Sequence, residues 1–205
     1  MNEMQLPLTL NASIKNWRLY MTRKADPQFI AYKQKVLVRD KHTCRFCNFR
    51  STQLMEVVNI NHNYTDNKIT NLATACPFCA QCAFIENIGQ SYYDGGVIIY
   101  LPEMSQNDLN ALCHILFSLM ASGSKSEPHI KSVYRALRMK AKVVEKMLGE
   151  GMSQPSRLGQ LLVDSDCDVT KQFKASGWQH FRVLPLFTRF VYQVEQWANE
   201  VFIDI

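Results

Sequence analysis

Lys41-His42-Thr43-Cys44-Arg45-Phe46-Cys47 and Ala75-Cys76-Pro77-Phe78-Cys79 are the two stretches whose reading decides the fold. Each holds a Cys-x-x-Cys pair, and 28 residues separate Cys47 from Cys76. Four thiolates at this paired spacing suit a closed tetrahedral Zn²⁺ site with Zn–S bonds of about 2.3 Å. Pro77 fixes φ in the tight turn of the second knuckle. The gap is too long for a small zinc ribbon, so more than one hairpin must fold between the knuckles. A disulfide framework is the weaker reading, because Met1 to Leu10 is interrupted by Glu3, Gln5 and Pro7 and has no apolar core of a secretion signal. A redox Cys-x-x-Cys would need a surrounding βαβ pattern, which is not visible. Cys79-x-x-Cys82 is a third pair, so Cys44, Cys47, Cys79 and Cys82 form an alternative ligand set, although the Pro77 turn favours Cys76. Cys113 and Cys167 have no partner at ligand spacing and read as small buried hydrophobes.

With 205 residues, 47% of them hydrophobic, the chain can bury a substantial core in one domain or two small ones. Its longest apolar run, Ala111 to Ala121, contains Cys113, His114 and Ser118 and falls short of the roughly 18 residues of a bilayer span. Paired thiols without an export signal suit a reducing cytosol, with membrane association only through partners. The net charge of +5 is unevenly spread. Residues 1–50 carry ten Lys/Arg against three Asp/Glu, residues 51–120 one against six, and residues 121–150 seven against three. The stretch that holds the knuckle-to-knuckle segment is therefore mostly acidic, which argues against a phosphate backbone being gripped there.

The pattern predicts an α+β protein. Asp26-Pro27 opens a helix running to about Asp40, Leu54 to Ile60 is strand-like, Asp66-Asn67 turns, and Ala80 to Asn87 suits a short helix behind the metal. Tyr92-Tyr93, Asp94-Gly95-Gly96 and Val97 to Leu101 read as a β-hairpin ended by Pro102. From Ser105 the period becomes helical: a capping box at Ser105/Asp108 opens a helix to about Ser122, another runs from Pro128 to about Leu148, a shorter one covers Ser156 to Asp164, and an aromatic stripe spans Leu186 to Val201. Residues 1–102 are thus expected to form a helix, zinc module and hairpin, and residues 103–205 a helical region packed on them as one unit. Lys131, Arg135, Arg138, Lys142 and Lys146 make a basic stripe on the second of these helices, most simply a solvated face.

The segment between the knuckles resembles a zinc-stabilised HNH nuclease, a ββα module. Val38-Arg39-Asp40, Met55-Glu56-Val57 and Asn71-Leu72 stand in that layout's order around the two cysteine pairs. The chemical positions do not match. Val58 stands where the metal-binding acid or histidine is expected, Asn59 at the general base, and Ala80 at the histidine after the last cysteine. An amide has no useful basicity at neutral pH, and losing a general base costs about 10²- to 10⁴-fold in rate. Valine and alanine offer Mg²⁺ no lone pair. His62 lies three strand residues, roughly 10 Å, beyond Asn59 and on the opposite face. His42 reads as a neighbour of the zinc site.

This pseudo-HNH zinc module joined to a helical second half resembles the DotN (IcmJ) family of Dot/Icm type IVB secretion components. The resemblance implies a non-enzymatic cytosolic adaptor at the cytoplasmic face of the inner membrane. It would carry structural Zn²⁺ on Cys44, Cys47, Cys76 and Cys79 and bind the C-terminal extension of the DotL coupling ATPase, alongside DotM, IcmS, IcmW and LvgA. No nucleic-acid partner is expected. Two other readings stay open: a metal-dependent nuclease using His62 with Glu56 or Asp66, and a zinc-dependent nucleic-acid binder using the basic helix.

Overall fold

Ser13 and Asp26 cap consecutive helices, and only the second announces itself in the sequence. The computed structural model describes residues 5–90, 95–123, 126–163 and 178–201. Helix α1 (Ile14–Lys24) starts where the Ser13 side chain accepts from the Asn16 amide, and α2 (Pro27–Arg39) where Asp26 accepts from Gln28, with Pro27 in the first turn. α2 buries Phe29, Val36 and Leu37 and leads into the first knuckle. There Lys41, His42 and Asn48 take positive φ, and the Cys44 amide donates to the Phe49 carbonyl at 2.8 Å.

Strands β1 (Glu56–Asn59) and β2 (Leu72–Ala75) pair antiparallel, with Val57 opposite Thr74 and Asn59 opposite Leu72. Helix α3 (Pro77–Ala80) follows directly, with Cys76 at its N-cap. The short helix expected over Ala80 to Asn87 is instead two 3-10 turns, Gln81–Ala83 and Ile85–Asn87. Phe84 breaks them at φ −146°, and its ring packs within 5.3 Å of Trp17 and 5.0 Å of both Tyr20 and Tyr64. The aromatic cluster under α1 takes precedence over helix continuity.

Of the expected hairpin only one arm can be followed. Its Tyr92-Tyr93 arm lies outside the described residues, and its other arm, β3 (Gly96–Tyr100), pairs antiparallel with β4 (Phe181–Pro185) from the far end of the chain. Gly96 permits that approach, since a Cβ there would lie 2.6 Å from Val183 Cγ1.

Helix α4 (Gln106–Ala121) begins at the expected cap, Ser105 accepting from the Asp108 amide at 3.1 Å. The long helix expected from Pro128 to Leu148 is two, α5 (Glu127–Met139) and α6 (Ala141–Leu148), joined at Lys140. The joint has a packing reason: Tyr134 of α5 belongs to the core that surrounds the cysteines, whereas Val144 of α6 belongs to a second core with Ile98, Leu158 and Val183. A straight helix cannot serve both. Helix α7 (Pro155–Val163) starts one residue earlier than expected and presses Gly159 against the Glu86 backbone, 2.3 Å from where a Cβ would stand. The tail helix α8 (Val191–Val201) occupies only the later part of the Leu186–Val201 stripe, because a 3-10 turn holds Phe187–Arg189.

The larger core draws Val36, Val57 and Leu72 from the first half of the chain and Leu109, Phe117, Phe190 and Trp197 from the second, with the four paired cysteines among them. No helix among the described residues is long and apolar enough to cross a membrane.

Candidate metal centre

The loop after α2 supplies Cys44 and Cys47, and the N-terminus of α3 supplies Cys76 and Cys79. All four are buried, and their sulfurs lie within 4.8 Å of one another, with Cys47 Sγ 3.6 Å from Cys76 Sγ. A tetrahedron with metal–sulfur bonds of about 2.3 Å has edges of about 3.8 Å, so the donor set matches Zn²⁺ in geometry as well as in softness. Among the described residues this is the one set of three or more His, Cys, Asp or Glu side chains whose donor atoms converge closely enough for an ion.

The electrostatics of the thiols point the same way. Burial pushes the Cys76 and Cys79 thiols well above their ordinary value, and the neighbouring Cys44 and Cys47 add to it. Burial also acts to raise Cys44, but hydrogen bonds from Cys47, Cys76 and Cys79 outweigh it and hold that thiol well below the usual range. Burial thus disfavours thiolates at Cys76 and Cys79, and a dication is the natural complement to four converging sulfurs. Cys82 is turned elsewhere: its thiol donates to the Phe78 carbonyl at 3.3 Å, and burial raises it to about 12.

Helix α4 braces the cluster from behind. Asn110 donates to Cys79 Sγ at 3.2 Å, and its carbonyl oxygen accepts from Gln106 at 2.9 Å, while Gln106 exchanges bonds with both backbone groups of Val183 on β4. His114 Nε2 lies 3.2 Å from Cys76 Sγ, its ring stacked between Phe49 at 3.7 Å and Phe78 at 4.2 Å. Burial lowers His114 to about 3, against the pull of the Cys44 thiolate, so its imidazole is neutral and fit to donate to sulfur. Asn107 ties the same helix to the first knuckle and the N-terminal segment, donating to Phe46 and Leu6 carbonyls at 2.7 and 2.8 Å. Gln106, Asn107, Asn110 and His114 escaped the sequence reading. The signal available was their helical spacing within an otherwise apolar α4.

The positions singled out by the resemblance to HNH nucleases have partners of their own. Asn59 ends β1, and its amide donates to the carbonyls of Asn63 and Asp66 at 2.8 Å each, while its oxygen accepts from Arg23. Arg23 comes from α1 and is buried. It also donates to the Val57 carbonyl at 2.8 Å and Asn67 Oδ1 at 2.9 Å, and its guanidinium stacks 4.5 Å from the Phe29 ring and 4.7 Å from Tyr64. Val58 and Ala80 are buried in the larger core. The other candidates stand in separate environments. Glu56 pairs with Lys24 at 2.6 Å and Lys33 at 3.4 Å, Asp66 accepts from the Lys68 amide, and His62 sits in a tight turn with its carbonyl bonded by Asn16 at 2.7 Å. His42 occupies a positive-φ turn in the first knuckle and is not among the converging donors.

Fold and site together describe an α+β protein whose two chain halves meet at a buried four-cysteine cluster capable of holding a metal ion. No protein-family model matches the chain. It is 39% identical over 204 residues to the type 4 apparatus protein DotN of Legionella pneumophila (strain Philadelphia 1), across 100% of this chain and 95% of that protein. The chain belongs to the DotN family.

Proposed function

We propose that this chain is a non-catalytic adaptor subunit of a Dot/Icm-type type IV secretion apparatus, built on a nuclease-derived frame. Family membership supports the apparatus, and the β1-β2-α3 order beside the cysteine cluster supports the frame. The observation that carries the non-catalytic reading is Arg23. A buried guanidinium bonded to Asn59 puts a fixed positive charge where a general base and a catalytic Mg²⁺ would have to act.

In this reading Cys44, Cys47, Cys76 and Cys79 hold structural Zn²⁺, which when bound ties the loop after α2 to α3. Asn110 and His114 orient the sulfurs, and residues 1–102 and 103–205 behave as one unit because α4 carries both side chains. The partner is the C-terminal extension of a DotL-like coupling ATPase, in company with DotM-, IcmS-, IcmW- and LvgA-like chains. The location is the cytoplasmic face of the inner membrane, reached through those partners.

The test is purification with the ATPase extension. Co-elution at one zinc per chain, with no nicking of plasmid DNA in Mg²⁺, is the expected result. Mg²⁺-dependent nicking that His62→Ala abolishes, or recovery of nucleic acid without the ATPase, would overturn it.

A further inference from the structure

The basic stripe of α5 borders a concave surface. A groove of about 450 Å³ opens between α5 and the turn after β4. Its inner wall is apolar: Met120 and Tyr134 are buried, Leu186 and Phe187 half-buried. The outer rim is Lys131, Arg135 and Arg138, all exposed, and no carboxylate among the described residues lines the groove. Lys131 has Glu127 at 2.5 Å, whereas no ion pair among the described residues engages Arg135 or Arg138. Apolar exposure continues from Met139 at the groove, 50% exposed, to Val143 at 40% and Met147 at 52% on α6, where Lys142 and Lys146 are also exposed.

We infer that this groove docks an acidic amphipathic segment of another protein chain, its apolar side chains entering between α5 and Leu186–Thr188 and its carboxylates meeting Arg135 and Arg138. Charge complementarity sets the sign of the occupant, and the apolar wall sets its amphipathic character. Methionines at the mouth adapt to a side chain of varied shape. The volume falls within the about 300–1,000 Å³ of pockets that bury a ligand, a depth that a bilayer surface does not fill. Base stacking is disfavoured because Tyr134 is committed, its hydroxyl donating to the Pro185 carbonyl at 2.8 Å and accepting from the Phe187 amide. The inference rests on the adaptor reading for its biological setting and on the groove alone for its chemistry.

The probe is a synthetic peptide of about 18 residues, glutamate-rich with leucines at i, i+3, i+4 and i+7, beside a scrambled peptide of equal composition. The full chain should bind the first and lose at least about tenfold in affinity as R135E/R138E. Met139→Glu, a single change at an exposed position, should weaken binding as well and keeps the test alive if the double variant melts early. Equal binding by both peptides, or binding indifferent to R135E/R138E, would refute the groove. So would stronger retention by duplex DNA or phosphatidylglycerol vesicles than by the peptide. A parallel capture with the ATPase extension separates the two readings. Capture undiminished in R135E/R138E refutes the groove and leaves the adaptor standing. No capture by the natural chain refutes the adaptor, while the peptide titration still decides the groove.

Discussion

Two buried polar sites lie at either end of the β1-β2 ladder, and they treat charge in opposite ways. At the α3 end, four sulfurs converge with too much latent negative charge for an apolar interior and call for a cation. At the Asn59 end the protein brings its own, since Arg23 arrives from α1, folds over Phe29 and Tyr64, and bonds Asn59, Asn67 and the Val57 carbonyl. One site is completed from outside and the other from within the chain. On the proposed reading the first site keeps a structural metal and the second is closed to a catalytic one.

The comparison is broken most forcefully at the cysteines. Cys76→Ser should abolish stoichiometric zinc and lower the melting temperature, since metal supplies about 10–16 kcal/mol in small zinc modules. An unchanged melting curve at full metal content would refute the assignment. Arg23→Met tests the other end. It strands the Val57 carbonyl and the Asn59 and Asn67 amides, and should cost about 3 kcal/mol in urea unfolding while zinc content stays at one per chain. Loss of zinc in that variant would mean the two sites are not separate. Asn59→His is a sharper form of the same question. Restoring an imidazole beside Arg23 should cost about 1–3 kcal/mol through lost bonds to Asn63 and Asp66 and yield no plasmid nicking; nicking would mean that the guanidinium does not block the site.

Smaller effects lie in the supporting shell. Asn110→Ala and His114→Ala should weaken zinc affinity by about 10–100-fold in chelator competition, with the cysteines unchanged. At the start of β1, beside Lys24 of α1, burial acts to raise the Glu56 carboxyl, but Lys33 and Lys24 outweigh it and leave it below the usual range. A lowered native value means the stabilisation is complete above the unfolded value of about 4.3 and is lost as pH falls through the native one. Glu56→Gln should therefore lower stability at pH 7, flatten the acid limb below about pH 4, and converge with the natural chain at the lowest pH.

Local features were legible in advance. The Asp26-Pro27 and Ser105/Asp108 caps sit where their side chains predict, because a cap is a contract between residues two or three apart. The four paired cysteines converge, and Val58, Asn59 and Ala80 are read directly from the chain. Helix α1 was missed: it has no acidic residue in its first turn, and Arg23, its most consequential side chain, looks like any surface arginine. The β3 partner was missed because Phe181–Pro185 is a short run inside a helical half. The joint at Lys140 was invisible since apolar periodicity passes through it.

By itself, then, the sequence determined the paired cysteines, the residue types at positions 58, 59 and 80, and the helix starts at Asp26 and Ser105, all of which depend on residue type and on neighbours within a few positions. Only the tertiary structure decided what Asn59 bonds, which helix backs the sulfurs, which strand closes the second sheet, and that a basic stripe borders an apolar groove. Those outcomes come from contacts between segments far apart in the chain, such as Arg23 with Asn59 and Asn110 with Cys79, and no local pattern encodes which distant surfaces will bury each other.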